Sequence, residues 1–142
     1  MKIGHCAFEV SDLKASIDFY TSKLGFQLLY TFTDEKEHEA GAILTSDEGK
    51  LELLQGLNEA NEKKPFDPLA VRPHFCPHIA LESDDFEKTL AEIKAYDLKI
   101  VHGPLEVPNL VKWLYICDPD NNVVEFFQEF HPTNKPNDKT NP

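Results

Sequence analysis

The sequence predicts an α+β protein made of two tandem βαβββ modules. Three features carry that prediction. First, two separated blocks recur: His5-Cys-Ala-Phe-Glu-Val-Ser-Asp-Leu13 aligns without gaps on His78-Ile-Ala-Leu-Glu-Ser-Asp-Asp-Phe86, and Leu51-Glu-Leu-Leu-Gln55 aligns on Val124-Glu-Phe-Phe-Gln128. Second, both blocks keep one offset, 73 residues, which is unlike a chance match. Third, each half passes from an alternating segment to one of helical spacing and then to three more strand-like runs.

Residues 3–10 alternate, with Cys6, Phe8 and Val10 on one face and Ile3, His5, Ala7 and Glu9 on the other. Ser11 or Asp12 offers an N-cap, and Leu13, Ile17, Tyr20 and Leu24 follow at helical spacing until Gly25 stops the helix. Strands are expected near 26–33, 39–46 and 50–55, the last two joined by the turn Ser46-Asp-Glu-Gly49. This is the first module, residues 1–56. The second, 76–131, repeats the plan with a strand at 76–83 and a helix near 84–96 that turns Phe86, Leu90 and Ile93 inward. Its remaining strands are expected near 98–102, 111–117 and 123–130, with Asp118-Pro-Asp-Asn121 as the matching turn. Residues 57–75, rich in Asn, Lys, Pro and Asp, read as an exposed linker, and the polar, Pro-rich 132–142 as a disordered tail.

Composition narrows the function. With 25 acidic against 14 basic residues the net charge is −11, so neither a nucleic-acid backbone nor an anionic membrane surface is an expected partner. No apolar run approaches the roughly 20 residues of a spanning helix. The start reads directly into a strand, which leaves no room for a signal peptide. Cys6, Cys76 and Cys117 are odd in number and sit in apolar runs, as reduced thiols do. A cytoplasmic protein is the expectation. No Gly-rich phosphate loop or nucleophile elbow is visible.

The two blocks also place chemistry. Alternation puts His5 and His78 on the face opposite the helix-packing residues, and it puts Glu52 and Glu125 there too, between apolar neighbours that turn the other way. Each half runs 47 residues from its His to its Glu. If the sheets curve round a shared cavity, four side chains meet there. Two imidazoles and two carboxylates suit one divalent ion, Zn, Ni, Co, Mn or Fe(II), with positions left open for chemistry. A cation also offsets the cost of burying two carboxylates together. Glu9 and Glu82 fall on the same face at strand ends and are expected in solvent, and Cys76 is expected to pack. His38, His74, His102 and His131 have no partner at the repeat offset and read as surface residues, while Trp113, Tyr115 and Phe127 read as core.

On the stretches "DLKASIDFYTSKLGF", "HIALESDDFEKTL" and "DPDNNVVEFF", the chain resembles the vicinal oxygen chelate superfamily, best known through glyoxalase I (lactoylglutathione lyase). The resemblance covers about residues 1–130. It implies paired βαβββ modules forming a cup-shaped mixed sheet around a metal, with His5, Glu52, His78 and Glu125 as ligands. It also implies a small-molecule substrate and a homodimer, the cavity closing either within one chain or between two. The implied activity is a lyase or isomerase that moves a proton next to a carbonyl through an enediolate, with Glu125 as the base and Glu52 its symmetry-related candidate. Other activities on this scaffold remain alternatives: methylmalonyl-CoA epimerase, extradiol dioxygenase, or simple small-molecule binding. Glyoxalase I carries an Arg near the end of its first strand to grip glutathione, and this chain has Glu9 there. Arg72, Lys99 and Lys112 are the candidate anion grips, and the thiol stays open.

Overall fold

The computed structural model describes residues 1–47, 49–72 and 75–130. The expected tail, His74 and His131 lie outside the described residues. In chain order the elements are β1 (Cys6–Glu9), α1 (Leu13–Asp18, with a widened π turn over Phe19–Lys23), β2 (Gln27–Asp34), β3 (Glu39–Thr45) and β4 (Lys50–Gly56), then β5 (His78–Glu82), α2 (Phe86–Ala95), β6 (Ile100–Val107), β7 (Val111–Cys117) and β8 (Val123–Glu129). They form two four-stranded sheets, ordered β1-β4-β3-β2 and β5-β8-β7-β6. In each sheet the first strand pairs parallel to the last and the other pairs are antiparallel, so both sheets are mixed.

Both helices begin with the same device. Asp12 accepts a hydrogen bond from Ala15 N–H at 3.0 Å and Asp85 one from Lys88 N–H at 3.1 Å, each capping a first turn. The Gln three residues after each repeated Glu reaches over to the same place. Gln55 Oε1 accepts from Leu13 N–H at 2.7 Å, and Gln128 Oε1 accepts from Phe86 N–H at 3.1 Å. These contacts explain why the second repeated block ends in Gln. Gly25, at φ 74°, closes the first helix in a conformation that costs glycine little.

Tyr20, Leu44, Leu51, Leu53, Leu114, Ile116 and Val124 are almost fully buried and belong to one core shared by the modules. The Asp118-Pro-Asp-Asn121 turn does more than reverse the chain. Tyr20 Oη donates to Asp118 Oδ2 at 3.0 Å, Ser11 N–H donates to Asp120 Oδ2 at 2.9 Å, and Asn122 Nδ2 donates to the Glu9 carbonyl at 3.0 Å. The second module's turn therefore staples the first. Burial pushes the Asp118 carboxyl above its ordinary range against the pull of its hydrogen bonds, and burial beside Asp118 pushes the Tyr20 phenol up.

Two expectations need correction. The first strand is shorter than 3–10, and Cys6 is exposed rather than turned to the core, because pairing with β4 begins only at Cys6. The strand expected at 98–102 continues to Val107, past Gly103-Pro104. An edge strand tolerates a proline, and the register of β6 against β7 shifts on both sides of His102 to absorb it.

Candidate metal centre

Strand register builds each His–Glu pair. In the parallel ladder β1·β4, Ala7 lies opposite Glu52; in β5·β8, Ala80 lies opposite Glu125. The His is two residues before that Ala, hence on the same face and diagonal to the Glu. His5 Nε2 stands 3.1 Å from Glu52 Oε2, and His78 Nε2 stands 2.9 Å from Glu125 Oε2. The side chains are 47% and 18% exposed in the first pair, 25% and 18% in the second. The second pair is the more enclosed.

The geometry also fixes a tautomer. His78 Nδ1 lies 2.9 Å from the Cys76 carbonyl oxygen, which can only accept, so Nδ1 carries the proton. Nε2 then turns a lone pair toward a carboxylate oxygen. Two acceptors at that distance need a proton or a metal ion between them. A backbone carbonyl holding the far nitrogen of a His is also the usual support of a metal-ligating imidazole. The donor set therefore fits a divalent ion, as two half-centres.

The structure does not bring the four together within one chain. Among the described residues, no group of three or more His, Cys, Asp or Glu side chains is placed to hold a metal. The reason is in the packing. Both sheets turn their helix-side faces to one common core, so the His–Glu faces lie outermost and do not meet.

Three residues read as core from the sequence belong to this outer face. Tyr115 is paired in register with Glu125, and Trp113 with Phe127. Tyr115 is buried by its neighbours: its ring meets His78 edge-on at 5.5 Å and His102 at 6.2 Å. Burial and the Glu125 charge push its phenol up. His102 thus joins the site's surroundings, which an offset-based search could not show. Strand parity would have separated Tyr115 from buried Leu114 and Ile116. Glu9 and Glu82 are exposed, as expected. Lys112 points to the helix side, 3.5 Å from Glu87, and is no anion grip for this face. Arg72 lines a separate cleft between β1 and the linker.

Fold and paired faces define a duplicated α+β scaffold with one His–Glu pair on each sheet. The chain belongs to the Glyoxalase/Bleomycin resistance protein/Dioxygenase superfamily, whose profile it matches over residues 2–126. Members of that superfamily commonly use divalent metals. Over 131 residues it is 30% identical to the uncharacterized protein YwbC of Bacillus subtilis, covering 89% of this chain and 97% of that one. It is also 30% identical over 134 residues to virulence protein STM3117 of Salmonella typhimurium, covering 89% and 83%. The trypanothione-dependent glyoxalase I of Leishmania major shares the fold, with a TM-score of 0.67 at 22% identity over 91% of this chain and 87% of that one. Among the described residues no helix is long and apolar enough to cross a membrane.

Proposed function

We propose that the chain is a metal-dependent lyase or isomerase of glyoxalase I type, which moves a proton between neighbouring carbons next to a carbonyl, and that two copies share each metal centre. The matched His–Glu contacts at 3.1 and 2.9 Å carry this reading. Each module supplies two ligands, whereas a catalytic ion takes about three or four from protein. Two copies about a two-fold axis, module one of each against module two of the other, complete two sets at once. Nickel or zinc, or else cobalt, manganese or Fe(II), would be held by His5 and Glu52 with His78 of the partner subunit and Glu125 of the partner subunit. Such an ion supplies a Lewis acid beside the carbonyl oxygen.

The chain's own groups do the rest. Glu125 carries the proton, and Glu52 is its symmetry-related alternative. The two carboxylates are equally exposed, and what favours Glu125 is its company: the better-enclosed His78 at 2.9 Å and the phenol ring of Tyr115 opposite it in the ladder.

The test is metal content after exposure to nickel, zinc and cobalt, followed by turnover of methylglyoxal with several thiols. Glu125→Gln is expected to lower kcat by about 10²–10⁴-fold. Protein that takes up none of these metals would sink the reading, and undiminished turnover in Glu125→Gln would move the base to Glu52.

A further inference from the structure

Beyond Glu125, the outer face of module two is aromatic. One register row across the sheet carries Ala80, Glu125, Tyr115 and His102. The next row on the same face, about 7 Å along the strands, carries Glu82, Phe127, Trp113 and Leu105. Module one differs at the same place. There Ile43 lies opposite Glu52, and the following row is Glu9, Leu54, Gly41 and Phe32. A Cβ on Gly41 would collide with the Phe32 ring, so that ring already fills the space above Gly41. Module one covers its own surface at this row. Module two presents Trp113 and Phe127, both only half-buried.

We propose that the substrate carries an aromatic ring that seats on Trp113 and Phe127 while its two adjacent oxygens face Glu125 and His78. This rests on the proton-transfer reading above and names its substrate class. The aromatic row lies one strand repeat, about 7 Å, beyond the Glu125 row on the same face, so a ring carried on the oxygenated carbons extends toward it from the carboxylate. Neither helix covers this face, because Leu114, Ile116 and Val124 pack toward the helices from the other side.

Charge argues against a peptide thiol on this wall. The carboxylates on these rows and the next are Glu82, Glu125 and Glu129, the last opposite Val111. The two carboxylates of a peptide such as glutathione would lie among like charges. An uncharged ring meets no such penalty, and stacking on indole and phenyl favours it.

Trp113 is the chain's single tryptophan, so the wall carries its own reporter. Zinc-loaded protein is titrated with 2-hydroxyacetophenone and with hydroxyacetone, two neutral hydroxyketones that differ by phenyl for methyl. The expected result is a saturable change in Trp113 emission with the phenyl compound, at a Kd about tenfold or more below that of hydroxyacetone. Phe127→Ala, and separately Leu105→Ala, should weaken the phenyl compound about tenfold and leave metal content unchanged. Equal Kd values, or linear quenching without saturation, would overturn the proposal. Exchange of the α-proton in D2O, followed by NMR, reads the chemistry separately. Binding with the phenyl preference but without exchange would refute the proton-transfer reading and keep the substrate class.

Discussion

A single buried hydroxyl shows how much one residue holds. Tyr20 is fully buried, and its Oη donates to Asp118, whose other oxygen accepts from the Asp120 and Asn122 backbone. Burial raises Asp118 above its ordinary 3.8, so the stability it contributes is fully present below that pH and declines as pH rises through the raised value. The Tyr20 hydrogen bond opposes that loss by favouring the charged form. Tyr20→Phe should therefore destabilise by about 1.5–3 kcal/mol near neutrality, the range for hydrogen bonds to charged groups. The deficit should shrink in acid as Asp118 takes up a proton. Urea unfolding of both proteins at pH 7 and pH 4 checks it, and a deficit that grows in acid would contradict the assignment.

At the scale of elements, the repeat preserved contacts as well as pattern. Asp12 and Asp85 cap their helices, and Gln55 and Gln128 close the same first turns from β4 and β8. Gln55→Ala and Gln128→Ala should each cost about 1 kcal/mol, and the double variant should cost their sum, since the sites share no partner. Asp12→Ala should cost about 1 kcal/mol as well. Backbone hydrogen bonding first, then Lys63, lowers the Asp12 carboxyl below 3.8, so this contribution is present above that pH and lost below it. The Lys63 contact, 2.9 Å long and exposed, adds little to it. Thermal unfolding of the four variants against pH measures all of this. Most elements were legible in advance: β7, Val111–Cys117, came out at its expected bounds because its alternation is unbroken. The continuation of β6 was not, since Gly103-Pro104 reads as a stop unless the strand is known to lie at an edge.

For the whole molecule, the question is whether one centre needs two chains. A mixture of His5→Ala and His78→Ala chains answers it. Each homodimer lacks a ligand in both centres. A mixed dimer about a two-fold axis pairs one intact first module with one intact second module, so random mixing should restore about a quarter of wild-type metal sites and turnover. Metal bound per chain and kcat, measured before and after subunit exchange, report it. Recovery of neither would place the centre inside one chain or abolish it.

The sequence alone determined the duplication, the strand parity and the identity of the four candidate ligands. These are local properties: a period of two residues along a strand and an offset of 73 along the chain survive without knowledge of any contact. It also determined which His goes with which Glu, since the parallel β1·β4 and β5·β8 ladders follow from the repeated plan. Tertiary structure decided where those faces point. Both sheets spend their helix-side surfaces on a common core, which turns the two His–Glu pairs outward and keeps them apart in one chain. Strand parity already groups Trp113 with Tyr115 and Phe127 with Glu125, apart from Leu114, Ile116 and Val124; the register of β7 against β8 and the choice of which face meets the shared core were decided only by the tertiary structure.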